Sequence, residues 1–490
     1  MIPAFFTLMV NALPWFFGVA MLYALLYRQN TWHPGHHLIV IGFGAYSGYL
    51  ILALIMYQLQ SRNLPVFSEW LISWSIALIL ICWVLGQINR HYTSQIRDGS
   101  LINHPVRDQT PSWLIVMLSA WVAFGVGFVV WEVAHRPAVS WDTLAYWTLY
   151  TPSFLDWQLS DPTEGRERLS HRHGSTIHLL HAWSAYAQSL WGKPIFAYTP
   201  WLMIYVGIIL TTIGFVWAVA GNLALGLIAA LLISSSAVVA GHASLAGYAD
   251  IWLAAGLFFA VSITALNRST YLPFLALVWL AVAASLSFLK SAGVSYTSLL
   301  LLAAAMAWIV SRGRAWVILL GASGLILFIW YLNEFGIDAN LFNRRLAYLP
   351  ETGQLIVGHY RGTYEDMKWS TISTNLWHAL VSSSSYLMTS LLMMIAVVVA
   401  FFRRDLLRNF CVALSLFVGL GLLLYAAAAQ GLSTYFLTYS SPNFDTGLTR
   451  FSQGWFLVTV LMFVYLCFAP HVQSPSNTLA HKTAISESAE

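Results

Sequence analysis

The sequence predicts an all-α, polytopic membrane protein with about thirteen transmembrane helices. Three observations predict it. Hydrophobic residues make up 59% of the chain and charged residues only 9%, which excludes an ordinary soluble enzyme. Apolar runs of the roughly 20 residues needed to cross a bilayer recur along the chain. Twenty-three Trp and 23 Tyr suit many positions at membrane–water interfaces. The net charge of +4 is small and scattered, so nucleic acid is not an expected partner. Cys82, Cys411 and Cys467 lie far apart inside apolar runs, which reads as packing rather than disulfide or metal chemistry.

In chain order, the expected spans are 4–27, 37–59, 66–88, 113–133, 195–218, 222–241, 248–267, 271–289, 293–311, 314–332, 376–402, 407–428 and 449–468. The first lacks a basic leader and precedes further spans, so it reads as a membrane helix and not a cleaved signal. Residues 174–191 form another apolar-aromatic helix, but His178 and His181 make it a poor lipid-facing span. It is expected to dip into the membrane edge or to pack under a loop.

Orientation follows from Lys and Arg. With the amino terminus outside, ten arginines fall on short inner connections: Arg28, Arg90, Arg97, Arg107, Arg268, Arg312, Arg314, Arg403, Arg404 and Arg408. Only Arg62, Lys290 and Arg450 fall on short outer ones. Two long polar segments, 134–194 and 333–375, then share the outer face and are expected to contain short helices. Three regions result: an amino-terminal three-helix membrane segment (1–110), a main membrane region that carries both long outer segments (111–468) and a flexible cytoplasmic tail (469–490). No internal repeat is evident.

Several isolated charges land at outer helix ends under this topology. Asp142 follows the fourth span in Ser140-Trp-Asp-Thr-Leu-Ala-Tyr-Trp147. Asp250 opens the seventh in Gly247-Tyr-Ala-Asp250, Lys290 closes the eighth in Phe288-Leu-Lys-Ser-Ala-Gly293, and Arg450 opens the last. Carboxylates where bilayer meets water are costly and usually have a job. Bland readings stand beside this one: Asp142 as a helix cap, Asp250 as a favourable charge at a helix start, and Lys290 and Arg450 as snorkelling cations. His178 and His181 sit at i, i+3, which permits metal ligation, yet no acidic residue falls at a matching offset. No metal ligands are therefore assigned. No Walker motif, dinucleotide fingerprint or Gly-x-Ser-x-Gly elbow is present.

Ser140-Trp-Asp-Thr-Leu-Ala-Tyr-Trp147 resembles the Trp-Asp loop motif of bacterial GT-C-type integral-membrane glycosyltransferases, a class that includes dolichyl-phosphate-mannose and aminoarabinose transferases. His173-Gly-Ser-Thr-Ile-His-Leu-Leu180 stands where those relatives have a His-Pro-x-Tyr-Pro-like segment, without the proline after His173. Gly247-Tyr-Ala-Asp250, Phe288-Leu-Lys-Ser-Ala-Gly293 and Thr449-Arg450 resemble three further pieces in the same order, so the resemblance covers about residues 110–468.

The resemblance implies a GT-C-like fold and transfer of a sugar from a polyprenyl-phosphate-linked donor to a lipid, glycan or protein acceptor. The site would face the periplasm from a bacterial inner membrane. Asp142 would be the base at the acceptor hydroxyl, with Asp250 as second carboxylate and both open to an outward cavity. Lys290, Arg450, Arg344 and Arg345 would hold the donor phosphate, and His173, Trp141 and Tyr248 would complete substrate binding. A diphosphate donor would bring a divalent cation such as Mg or Mn; a monophosphate donor need not. The alternatives are a lipid-linked polysaccharide polymerase or ligase and, from another class, a membrane transporter.

Overall fold

The computed structural model describes residues 2–27, 32–62, 64–67, 69–95, 110–135, 175–189, 198–244, 249–268, 272–289, 293–314, 321, 323–324, 326–327, 330–331, 334–341, 344–357, 360–363, 377, 381, 384–403, 410–436 and 444–468. Their helices are α1 (Ile2–Leu26), α2 (Pro34–Ser61), α3 (Glu69–Gln95), α4 (Ser112–His135) and α5 (Ser175–Ser189). Then come α6 (Thr199–Ala220), α7 (Leu223–Ser234), α8 (Ala237–Ser244), α9 (Asp250–Ile263), α10 (Leu272–Leu289) and α11 (Gly293–Ser311). After a small sheet follow α12 (Ser384–Phe402), α13 (Phe410–Phe436) and α14 (Phe444–Phe468).

Local sequence explains several boundaries. Before α2, His33 caps Gly35 N–H (3.0 Å), His36 reaches back to His33 N–H (3.2 Å), and Pro34 opens the helix. Gly221 ends α6 in the left-handed region at φ 69°, and Asn222 at once caps α7 through Leu225 N–H (3.0 Å).

Among the described residues, seven helices are long and apolar enough to cross a bilayer, and shorter apolar stretches lie in five more, including α12, α13 and α14. The chain is thus a helical membrane protein. The largest departure is at 222–241. A single span was expected there, but the chain breaks at Ser235–Ser236 into the 12-residue α7 and the 8-residue α8. At 1.5 Å per residue, α7 covers roughly 18 Å, too little for the hydrocarbon core alone. The serine run supplies the reason. Ser235 Oγ donates back to the carbonyls of Leu231 (2.7 Å) and Leu232 (3.3 Å), competing with the helical ladder. Ser236 then restarts the helix by accepting from Val239 and Ala240 N–H.

The second departure from an all-α chain lies in the long segment 333–375. Instead of short helices, residues 337–363 form a four-stranded antiparallel meander: β1 (Ile337–Leu341), β2 (Arg344–Leu349), β3 (Gln354–Val357) and β4 (Tyr360–Thr363). Pro350 opens the β2–β3 turn and Gly353 closes it at φ 60°, a left-handed conformation that glycine adopts without strain.

The core is built on α2, which two neighbours approach at glycine contact distance. Gly35 and Gly42, two turns apart, meet Gly214 and Gly207 of the antiparallel α6. Gly44 and Gly48, on another face, meet Val19 and Pro14 of α1. A Cβ at Gly35 or Gly42 would strike the opposing glycine carbonyl, so small residues here permit van der Waals packing of backbone on backbone, which holds membrane helices together. Every residue of α9 is buried, making it the enclosed centre of the bundle.

Candidate functional site

The side of the bundle where α1 begins is termed the upper side. Aromatic contacts set the depth of Asp250, the first residue of α9. The Trp252 ring meets Tyr49 of α2 edge-on (6.0 Å, 89°), while Phe259 meets Phe43 (5.2 Å), so α9 descends antiparallel to α2. Because α2 continues from Tyr49 to Ser61, Asp250 lies roughly 15 Å below its top. Its side belongs to the recessed interior, and Asp250 is only 5% exposed. The expectation that it opens onto an outward cavity therefore meets a buried carboxylate in the first turn of a helix, where the backbone dipole favours negative charge.

Helix α5 packs over this level. Its residues Ile177–Trp183 are buried, so the segment is neither a lipid-facing span nor a loop. The His181 ring lies 4.4 Å from Trp201 and 5.5 Å from Tyr198, both at the start of α6. Trp201 in turn meets Trp252 at 6.0 Å and 87°. Tyr186 stacks on Phe67 (4.3 Å, 15°), tying the far end of α5 to the segment between α2 and α3. Histidine 181 thus sits in an aromatic stack. Among the described residues, no three His, Cys, Asp or Glu side chains come together as metal ligands.

Other elements reach the same depth. Gly256 of α9 packs on Leu286 of α10, and Gly293, the first residue of α11, lies against Leu286 and Leu253. Thr176 of α5 donates its hydroxyl to the carbonyl of Phe288 in the last turn of α10 (2.8 Å). Along α14, Gly454 packs on Ala254 and Leu257, and the first turns of α14 therefore run beside the start of α9.

Of the expected site residues, Asp250 and Arg345 are described with their side chains. Arg344 lies on β2 and Arg450 in the second turn of α14. Asp142, Trp141, His173, Tyr248 and Lys290 lie outside the described residues. Arg345 lies on the small sheet, in β2. It is half exposed on β2 and fills its guanidinium fork with Asp338 of β1, at 3.0 Å (Nε to Oδ1) and 2.6 Å (Nη2 to Oδ2). The pair holds the Asp338 carboxyl below the ordinary range, chiefly through the hydrogen bond, and raises Arg345.

Sequence reasoning missed three features at this depth: the break in α7–α8, the Trp201–Trp252 contact and Gln453. The hydroxyl of Tyr205, one turn below Trp201, donates to the carbonyl of Ser234 at the break (3.3 Å). Gln453 is 1% exposed. A lone amide inside an apolar run was the available signal, and the triple serine was another. A separate cleft of about 250 Å³ between α1 and α3, lined by Tyr23, Gly86, Asn89 and Arg90, lies at the lower end of the bundle.

Compared with family models, curated proteins and solved structures, the chain matches none. What fold and site define together is a class: a polytopic helical membrane protein with a buried carboxylate at the head of its central helix, under a capping helix.

Proposed function

We propose that this protein is a membrane glycosyltransferase that moves a sugar from a polyprenyl-phosphate-linked donor to a lipid, glycan or protein acceptor. The reaction would take place on the upper side, the periplasmic face of a bacterial inner membrane. The observation that carries the reading is convergence at one depth. The start of α9, the end of α10, the start of α5 and the second turn of α14 come together there. These are the elements that carry, or directly adjoin in sequence, Asp250, Lys290, His173 and Arg450. Glycosyl transfer from a lipid phosphate asks for this combination. A carboxylate must take the acceptor proton as its oxygen attacks the anomeric carbon, and cations must receive the charge that develops on the departing phosphate. In this reading Asp142 is the base, Asp250 orients the sugar or acceptor, and Lys290 and Arg450 hold the phosphate. Arg345 is engaged by Asp338 and would have to exchange that partner to meet a phosphate.

The test is transfer by the purified protein in lipid nanodiscs, with labelled polyprenyl-phosphoryl sugars as donors. Asp142→Asn keeps size and capping oxygen, and should lower transfer by about 10² to 10⁴ while donor binding persists. Near-normal transfer by this variant would end the proposal.

A transporter is the second reading, and two observations favour it: the depth of the buried Asp250 and the discontinuous α7–α8 span. Broken helices and buried carboxylates mark substrate sites in transporters. Sugar-lipid flux into proteoliposomes without any transferred product would select it.

A further inference from the structure

The side chain of Gln453 is buried to 1% exposure, and neither its Oε1 nor its Nε2 has a hydrogen-bond partner among the described residues. The two atoms of an amide are easily exchanged in assignment, but here the exchange changes nothing because both are open. Leaving a buried donor and acceptor unmade costs the full desolvation of each. An apolar residue of the same size would serve a purely structural position better.

Its surroundings point to a ligand. Gly454, the next residue, packs on Ala254 and Leu257, so Gln453 sits beside the first turns of α9. Asp250 lies one turn above Ala254 on α9. Trp252 points away from α14, toward Tyr46 and Tyr49 of α2 and Trp201 of α6. The break between α7 and α8 reaches this depth through Tyr205, and α8 packs against both α9 and α14. Backbone that departs from a helix inside a membrane is tolerated where it lines a cavity or is buried in protein.

The chemistry of the open atoms narrows the ligand. A phosphate would use the donors and leave the amide oxygen facing an anion. A metal ion would want several oxygens and no N–H groups. A group that donates and accepts at once matches both halves of an amide, and adjacent hydroxyls on a sugar ring are such a group. We infer that Gln453 binds hydroxyls of the transferred sugar within the bundle. This rests on the glycosyltransferase reading and specifies where its sugar is recognised.

The experiment compares short-chain polyprenyl phosphates bearing glucose, mannose, galactose or arabinose with the same lipid phosphate bearing no sugar. Affinities are read from intrinsic tryptophan fluorescence in nanodiscs. The wild-type protein should bind at least one sugar-bearing lipid more tightly than the bare one. Gln453→Met should lose about 3- to 10-fold of that preference, the size of one or two hydrogen bonds, with affinity for bare lipid phosphate unchanged. Its unfolding temperature should stay level or rise, because an unpaired buried amide has been replaced by an apolar chain of similar shape. A preserved sugar preference in Gln453→Met would overturn the inference, and so would a marked fall in unfolding temperature, which would reveal a structural partner. If the wild type binds both kinds of lipid equally, sugar recognition fails while lipid-phosphate binding survives. If it binds neither, the glycosyltransferase reading falls, and this inference with it.

Discussion

The hydroxyl of Thr176 and the carbonyl of Phe288 are joined at 2.8 Å, although 112 residues separate them in the chain. The bond fastens the first turn of α5 to the last turn of α10. It therefore anchors the stretch that follows His173 to the stretch that precedes Lys290, two sequence pieces otherwise unrelated. Thr176→Val removes the hydroxyl and keeps the shape. The expected loss in thermal stability is about 0.5–1.5 kcal/mol, with a larger proportional loss in sugar transfer, and Thr176→Ser should recover both. An unfolding temperature equal to wild type would show that the bond does not hold α5 in place.

The glycine contacts of α2 make a sharper structural prediction. Gly42 lies against the carbonyl of Gly207 with no room for a Cβ. Gly42→Leu should separate α2 from α6 and cost at least the 1–3 kcal/mol typical of overpacking, seen as loss of monodisperse protein in detergent. Gly127 has no neighbour within 4 Å of a Cβ, so Gly127→Leu should leave folding intact. Equal tolerance at both positions would refute the backbone-on-backbone account.

The exposed Arg345–Asp338 pair gives a pH dependence with a definite sign. The Asp338 carboxyl is depressed below its ordinary value of 3.8, mainly by the Arg345 hydrogen bond. A group with a depressed folded pKa binds fewer protons than the unfolded chain does. Its contribution is thus present above 3.8 and fades as pH falls through the lower, folded value. The protection of the β1 and β2 amides against hydrogen exchange, relative to the intrinsic rate at each pH, should be insensitive to this pair from neutral pH down to the ordinary carboxylate range, and should fall only in stronger acid. Asp338→Asn should remove that acid step while changing little at pH 7, as expected for a solvent-screened pair.

Topology is open to direct labelling. Cysteines placed by Ser160→Cys and by Glu351→Cys, the latter on the exposed β2–β3 turn, should both react with an impermeant thiol reagent from outside the cell. Background should be low, since Cys82 and Cys411 are buried and Cys467 is partly covered. Labelling of either site from the cytoplasm alone would remove the shared-face argument for the site.

The sequence by itself determined that this is a helical membrane protein, because composition and run length answer directly to the solvent in which a helix must live. It also located the starts of α2, α6 and α9 and the end of α10 to within a few residues, since caps, glycines and charges act locally. It marked 174–191 as a helix that would not face lipid, on the strength of His178 and His181. What it could not reach were effects that depend on neighbours. Run length alone made 222–241 one span, whereas the serine hydroxyls bonding back to Leu231 and Leu232 decided the break. Charge at a helix start suggested the mouth of the bundle for Asp250. Its true depth followed only from Trp252 meeting Tyr49 partway along α2, which rises well past the heads of α6 and α9. Arg345 looked free to grip an anion until β1 and β2 paired in a register that brings Asp338 diagonally across from it. Packing also decided the character of Gln453, a residue the sequence reading passed over: an amide on a wet surface finds water, and the same amide beside the buried head of α9 finds no partner among the described residues.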